Sequence, residues 1–299
     1  MQPEWLRYRE RGSVFGYRLI ARLAQLLGRR IARAMLYPIC FYYLLFSRTT
    51  PHASRKYLRK VLERPPTWRE IFRHHFFFAS ALLDRVYLYS DRHELFDFHY
   101  YDREALHKWV DNGQGCIMLG AHLGSFEFMR VHGRHSRVVV NMLMYPDNAQ
   151  KIDTVTTELD QRHERRIITV GPVDSLITAK ERLDRGEVIG ILSDRAVSNE
   201  RFVEVRFFGE QAAFPAGPFI AAAVLKVPVV LFFCLYRGGN RYEFYFEPFT
   251  DQPTLNRRNP DELQQWVQRY ADRLEYYCRL EPYNWFNFYD FWRTPDNRS

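Results

Sequence analysis

Cysteine is scarce in this chain. Cys40, Cys116, Cys234 and Cys278 are the only four in 299 residues, and no two form a C-x-x-C pair. That spacing argues against a disulfide framework or a structural zinc site, and suits a catalytic part facing a reducing compartment. A long hydrophobic run is missing too. The charge-free stretch Ala34 to Ser47 (AMLYPICFYYLLFS) is shorter than the roughly 18 to 20 apolar residues a spanning helix needs, and Pro38 interrupts it. The opening Met1-Gln2-Pro3-Glu4-Trp5 lacks the basic, apolar, small-residue order of a cleaved leader. H-E-x-x-H, a dinucleotide-binding glycine fingerprint and an RNA-binding signature are absent as well. These gaps disfavour metal dependence, a cofactor and a nucleic-acid partner.

What is present is aromatic and basic. Hydrophobic residues make up 46% and aromatics 16%, with a formal charge of +8 and a pI near 9.3. Such a chain buries a large core and favours anionic partners: lipid, phosphate or an acidic carrier protein. With no linker-like break in composition, it reads as one catalytic domain, residues 51–299, behind a membrane-associating helical segment, residues 1–50. From Tyr17 to Leu36 the periodicity is helical, with Arg18, Arg22, Arg29 and Arg33 in one sector and Leu23, Leu27, Ile31 and Ala34 opposite. This pattern suits a helix lying in an anionic membrane surface with its arginines among the headgroups; packing on its own domain is the alternative. Ala34 to Ser47 then reads as an interfacial anchor, Tyr37, Tyr42 and Tyr43 suiting the headgroup boundary, or as a buried helix.

Trp68 to Tyr89 continues as a long helix with an aromatic face. From residue 115 short apolar runs alternate with polar helical stretches: Cys116 to Gly120, Val138 to Leu143, Arg166 to Val170 and Glu187 to Ser193. Further strands fit Val203 to Phe207, Val227 to Tyr236 and Tyr242 to Glu247, and a last helix starts at Asn259-Pro260-Asp261-Glu262 and reaches about Arg279. The alternation indicates an α/β fold with a largely parallel or mixed central sheet flanked by helices.

The segment with the most chemistry is CIMLGAHLGSFEFMR, Cys116 to Arg130. A buried strand ends at Gly120, His122 follows, and Gly124-Ser125 leads into a helical pattern. Open α/β sheets place their active sites at such strand-to-helix turns. Ser125 suits a helix N-cap rather than a nucleophile, because the glycine of a G-x-S-x-G elbow is absent. On one continuous helix His122 and Glu127 would point roughly 140° apart, so the turn has to bring them together. A carboxylate so placed would hold the imidazole in one tautomer and leave its other nitrogen free to take a proton from an acceptor hydroxyl.

HLGSFE resembles the H-x4-D/E signature of the glycerolipid acyltransferases, in particular the lipid A late acyltransferase family. Gly186 to Val230 is similar to that family's second block. There a strand ends in Asp194, Val205 and Phe207-Phe208-Gly209 follow, and a helix from about Pro215 to Leu225 leads to the next strand. The aromatic ending Pro282 to Trp292 (PYNWFNFYDFW) is similar too. One departure is Arg195, where the family usually has Gln after the strand-end Asp.

The resemblance implies acyl transfer from an acyl thioester, acyl-carrier protein or acyl-CoA, to a hydroxyl of a membrane lipid or glycolipid resembling lipid A. The place would be the cytoplasmic face of the bacterial inner membrane, held peripherally or by a single N-terminal anchor. It implies His122 as general base and Glu127 as its partner. Asp194, Arg195 and Ser125 are candidate substrate-binding residues; Arg195 suits a phosphate or a developing oxyanion. A non-catalytic lipid-binding or assembly protein of the same fold, and a hydrolase using water as acceptor, are the alternatives.

Overall fold

The computed structural model describes residues 14–47, 49–128, 138–144, 158–159, 166–170, 174–195, 201–255 and 260–292. Three helices come first: α1 (Val14–Phe46), α2 (Thr49–Val61) and α3 (Trp68–Tyr89). Then follow β1 (Asp97–Tyr101), α4 (Glu104–Val110), β2 (Ile117–Gly120), β3 (Val140–Met144), β4 (Ile167–Thr169), α5 (Asp174–Asp184) and β5 (Val188–Leu192). The chain closes with β6 (Phe202–Phe207), β7 (Glu210–Pro215), α6 (Gly217–Leu225), β8 (Val229–Tyr236), β9 (Arg241–Thr250) and α7 (Pro260–Leu280).

Seven strands form one sheet in the order β1-β9-β8-β2-β5-β3-β4, parallel except for the β8-β9 pair, and β6 and β7 make a separate antiparallel hairpin. Every residue of β2 and β8 is buried, as expected of strands covered on both faces. Their side chains alternate between two cores. Ile117, Leu119, Leu231, Phe233 and Leu235 pack with α6, α7 and the C-terminal aromatics, whereas Met118, Val230, Phe232 and Tyr236 pack with α1 and α3. The expected α/β architecture is therefore the one found.

Helix α1 departs from the sequence reading at one point and favours one of its two alternatives at another. It is broken at Gly28, whose φ of 79° lies in the left-handed region, and not at Pro38, which sits inside the helix. Arg29 and Arg33 face the domain, which is the packing alternative to a headgroup contact, whereas Arg18 and Arg22 stay exposed. Arg29 forms a two-pronged pair with the buried Asp84, Nε and Nη2 each 2.7 Å from a carboxylate oxygen. The Tyr242 hydroxyl donates to the same carboxylate at 2.7 Å, Arg33 reaches the Gly239 carbonyl at 3.0 Å, and Arg18 pairs with Glu158. The physical reason is Asp84: a carboxylate fully buried on α3 requires a cation, and the basic face of α1 supplies it. The apolar face is then left outward. Leu26 is 81% exposed and Phe46 70%, with Phe15, Ile31, Ile39, Tyr42 and Leu45 exposed beside them.

Candidate active site

Register builds the site. Gly120, the last residue of β2, pairs with Leu192, the last of β5, so the two carboxyl ends lie side by side and residues two positions beyond each can meet. His122 Nδ1 lies 2.7 Å from Asp194 Oδ1, and the His122 backbone N–H is 3.1 Å from both carboxylate oxygens. Asp194 is fully buried, while 27% of the His122 side chain remains exposed. The turn that carries His122 tolerates only glycine at 124. Its φ is +61°, and a Cβ there would come within 1.7 Å of the Cys234 carbonyl oxygen.

The sequence reading expected Glu127 beside the imidazole. Asp194, not Glu127, is the residue on Nδ1 of His122. Glu127 instead accepts a hydrogen bond from the Tyr89 hydroxyl at the end of α3. Chain geometry explains the exchange: neighbouring parallel strands deliver His122 and Asp194 to one point, whereas the Gly124 turn carries Glu127 onward. Ser125 is fully buried, but its hydroxyl has no hydrogen-bond partner among the described residues, so it does not make the expected capping bond. The helix expected to follow it lies largely outside the described residues.

Arg195 is tied to the C-terminal segment: Nε donates to Asn287 Oδ1 at 2.9 Å and Nη2 to the Phe286 carbonyl at 2.7 Å. Trp285, fully buried, donates its indole N–H to Asp194 Oδ2 at 2.9 Å. Sequence reasoning left Trp285, Asn287 and Tyr89 unassigned. The signal available for the first two was the aromatic run at 282–292, which has an apolar character that says nothing of a single N–H aimed at a carboxylate.

Electrostatics set the charge state of the pair. Burial, reinforced by the positive charge of Arg195, pulls His122 below the ordinary imidazole value of 6.5, against the opposing pull of Asp194. Burial would raise Asp194, but His122, Arg195 and the Trp285 N–H outweigh it and hold the carboxyl below its ordinary 3.8. An ionised carboxylate can only accept, so Nδ1 is the protonated nitrogen and Nε2 carries the lone pair. Such an imidazole is set up to take a proton.

The family model described as bacterial lipid A biosynthesis acyltransferase matches residues 53–294. The chain belongs to that family. Membership covers the sheet, the His122 turn, Asp194 and the C-terminal aromatic segment, and it points to acyl transfer onto a lipid. No curated protein matches the chain in a sequence search. Among the described residues no helix is long and apolar enough to cross a membrane.

Proposed function

We propose that this acyltransferase moves a fatty acyl group from an acyl thioester to a hydroxyl of a membrane lipid or lipid A-like glycolipid, with His122 as general base. The observation that carries the reading is the 2.7 Å bond from His122 Nδ1 to the buried Asp194, which leaves Nε2 available in a partly exposed ring. Nε2 takes the acceptor's hydroxyl proton as the oxygen attacks the thioester carbonyl. The resulting oxyanion collapses to the ester, the carbon–sulfur bond breaks, and the imidazolium returns the proton to the leaving thiolate. Asp194 orients the ring and offsets its positive charge. Arg195, anchored through Nε and Nη2, offers its remaining N–H groups to the oxyanion or to a phosphate. Glu127, held by Tyr89, orients the acceptor. Ser125 is fully buried within the same turn.

The donor in this reading is acyl-carrier protein or acyl-CoA, and an acidic carrier suits a pI near 9.3. Residues 1–50 associate with the cytoplasmic face of the bacterial inner membrane, and residues 51–299 form the acyltransferase domain. The outward apolar face of α1 inserts at the lipid surface, which is the reverse of an arginine-led contact. Labelled acyl transfer from acyl-carrier protein into a bacterial lipid extract tests the proposal. Wild type is expected to label a lipid and His122→Ala to leave it unlabelled. Equal labelling by both would remove His122 as the base, and label recovered only as free fatty acid would make the protein a hydrolase.

A further inference from the structure

We infer that Trp285 is a positioning residue of the active site, holding Asp194 in the orientation in which it serves His122; the inference rests on the catalytic pair proposed above. Its indole N–H meets Asp194 Oδ2 at 2.9 Å while His122 Nδ1 meets Oδ1 at 2.7 Å, so the carboxylate has a donor on each oxygen and its rotation is fixed. An indole donates and cannot accept. It therefore stabilises the ionised carboxylate without competing for the proton that His122 handles.

The indole is itself rigidly placed. Residues 284–286 run antiparallel to the His122 turn: Leu123 bridges Trp285, the Gly124 N–H donates to the Asn284 carbonyl at 2.8 Å, and the Phe286 N–H to the His122 carbonyl at 2.9 Å. From the other side His74 on α3 donates Nε2–H to the Trp285 carbonyl at 2.9 Å. Tyr57, Phe291 and Phe207 pack around the indole with ring centroids 5.0, 4.9 and 5.3 Å away. The same short segment thus backs the main chain of His122, the side chain of Asp194 and, through Phe286 and Asn287, Arg195. Packing alone would be served by any large ring. A donor aimed at the carboxylate behind the histidine serves only the pair.

The test is replacement of Trp285 by benzothienylalanine, which keeps the bicyclic outline and puts sulfur where the N–H was. Trp285→Phe is the encodable companion. Trp292→Phe is the control, because that indole is buried in the same segment but donates to the Phe207 carbonyl at 3.2 Å, away from Asp194. Two readouts are taken: kcat and KM for acyl transfer, and the titration of the His122 ring by NMR. A folded protein lacking only the 285 N–H is expected to lose about 10–100-fold in kcat with KM within about twofold. Its His122 should titrate at higher pH, because a carboxylate freed of the indole donor holds the imidazolium more strongly. Trp292→Phe should leave the His122 titration where it is. Wild-type kcat and an unmoved His122 in the benzothienylalanine protein would overturn the inference. If wild type itself transfers no acyl group, the proposed function falls, and the NMR titration alone decides whether Trp285 sets His122.

Discussion

Lowering the pH from 7 to 5 should destabilise this protein by about 4 kcal/mol through two neighbouring histidines of α3. His74 is fully buried, with Ser54 Oγ 2.8 Å from Nδ1 and the Trp285 carbonyl 2.9 Å from Nε2. A carbonyl only accepts, so Nε2 bears the proton, Nδ1 accepts from the serine, and the ring is neutral with both nitrogens used. His75 Nδ1 donates to the Ile71 carbonyl at 2.9 Å. Burial, aided by its neighbour His75, pushes His74 down to about 3, and burial pushes His75 down to about 4, from an ordinary 6.5. Below that value the unfolded chain binds protons the native state refuses. The stabilisation is fully present above pH 6.5 and is lost as the pH falls towards 4 and 3. At pH 5 the unfolded state gains about 2 kcal/mol per histidine, nearly independent of how far below 4 the native value lies. Urea unfolding at the two pH values measures the difference. A His74→Gln/His75→Gln double variant should be less stable at pH 7 but lose most of the pH dependence. An unchanged loss between pH 7 and 5 in that variant would refute the reasoning.

Three further outcomes follow from the same geometry. Arg29→Ala strands the buried Asp84 carboxylate and should cost about 3–5 kcal/mol of folding stability, read by urea unfolding, without being chiefly a loss of vesicle binding. Leu26→Glu with Ile31→Glu, both on the outward face of α1, should weaken sedimentation with anionic vesicles by about 100-fold while leaving the urea midpoint within error. Because burial and Arg195 depress His122, the acid limb of kcat/KM should fall below pH 6.5, and Arg195→Gln should move it upward.

The fold was legible where one physical signal dominated. Fully buried β2 and β8, and β5 buried except at Leu192, stand out as apolar runs, and α3 begins and ends where its aromatic periodicity does, at Trp68 and Tyr89. Its start also carries a Thr67–Glu70 capping box that the periodicity alone did not use. Strand β1 was missed because it lies at the sheet edge, where the mixed sequence DFHYY is exposed or half-buried throughout and forms no apolar run. The orientation of α1 could not be read from its own amphipathicity. Either face can point inward, and the choice was made by Asp84, a residue 55 positions away. The active site divides along the same line. His122 was legible as a strand-end histidine in a glycine-flanked turn, but its carboxylate partner was fixed by strand order. Glu127 is nearer in sequence; Asp194 is nearer in space, because β5 inserts beside β2.

The most direct test of this account is the kcat for acyl transfer in Asp194→Asn set beside Glu127→Gln. The amide keeps the size of Asp194 and removes the charge that holds the Nδ1–H tautomer. Asp194→Asn should therefore lose about 10³–10⁴-fold, with the Glu127→Gln defect smaller and expressed mainly in KM for the acceptor lipid. Asp194→Asn within about threefold of wild type, with Glu127→Gln taking the large loss in kcat, would contradict the assignment of Asp194 as the partner of His122.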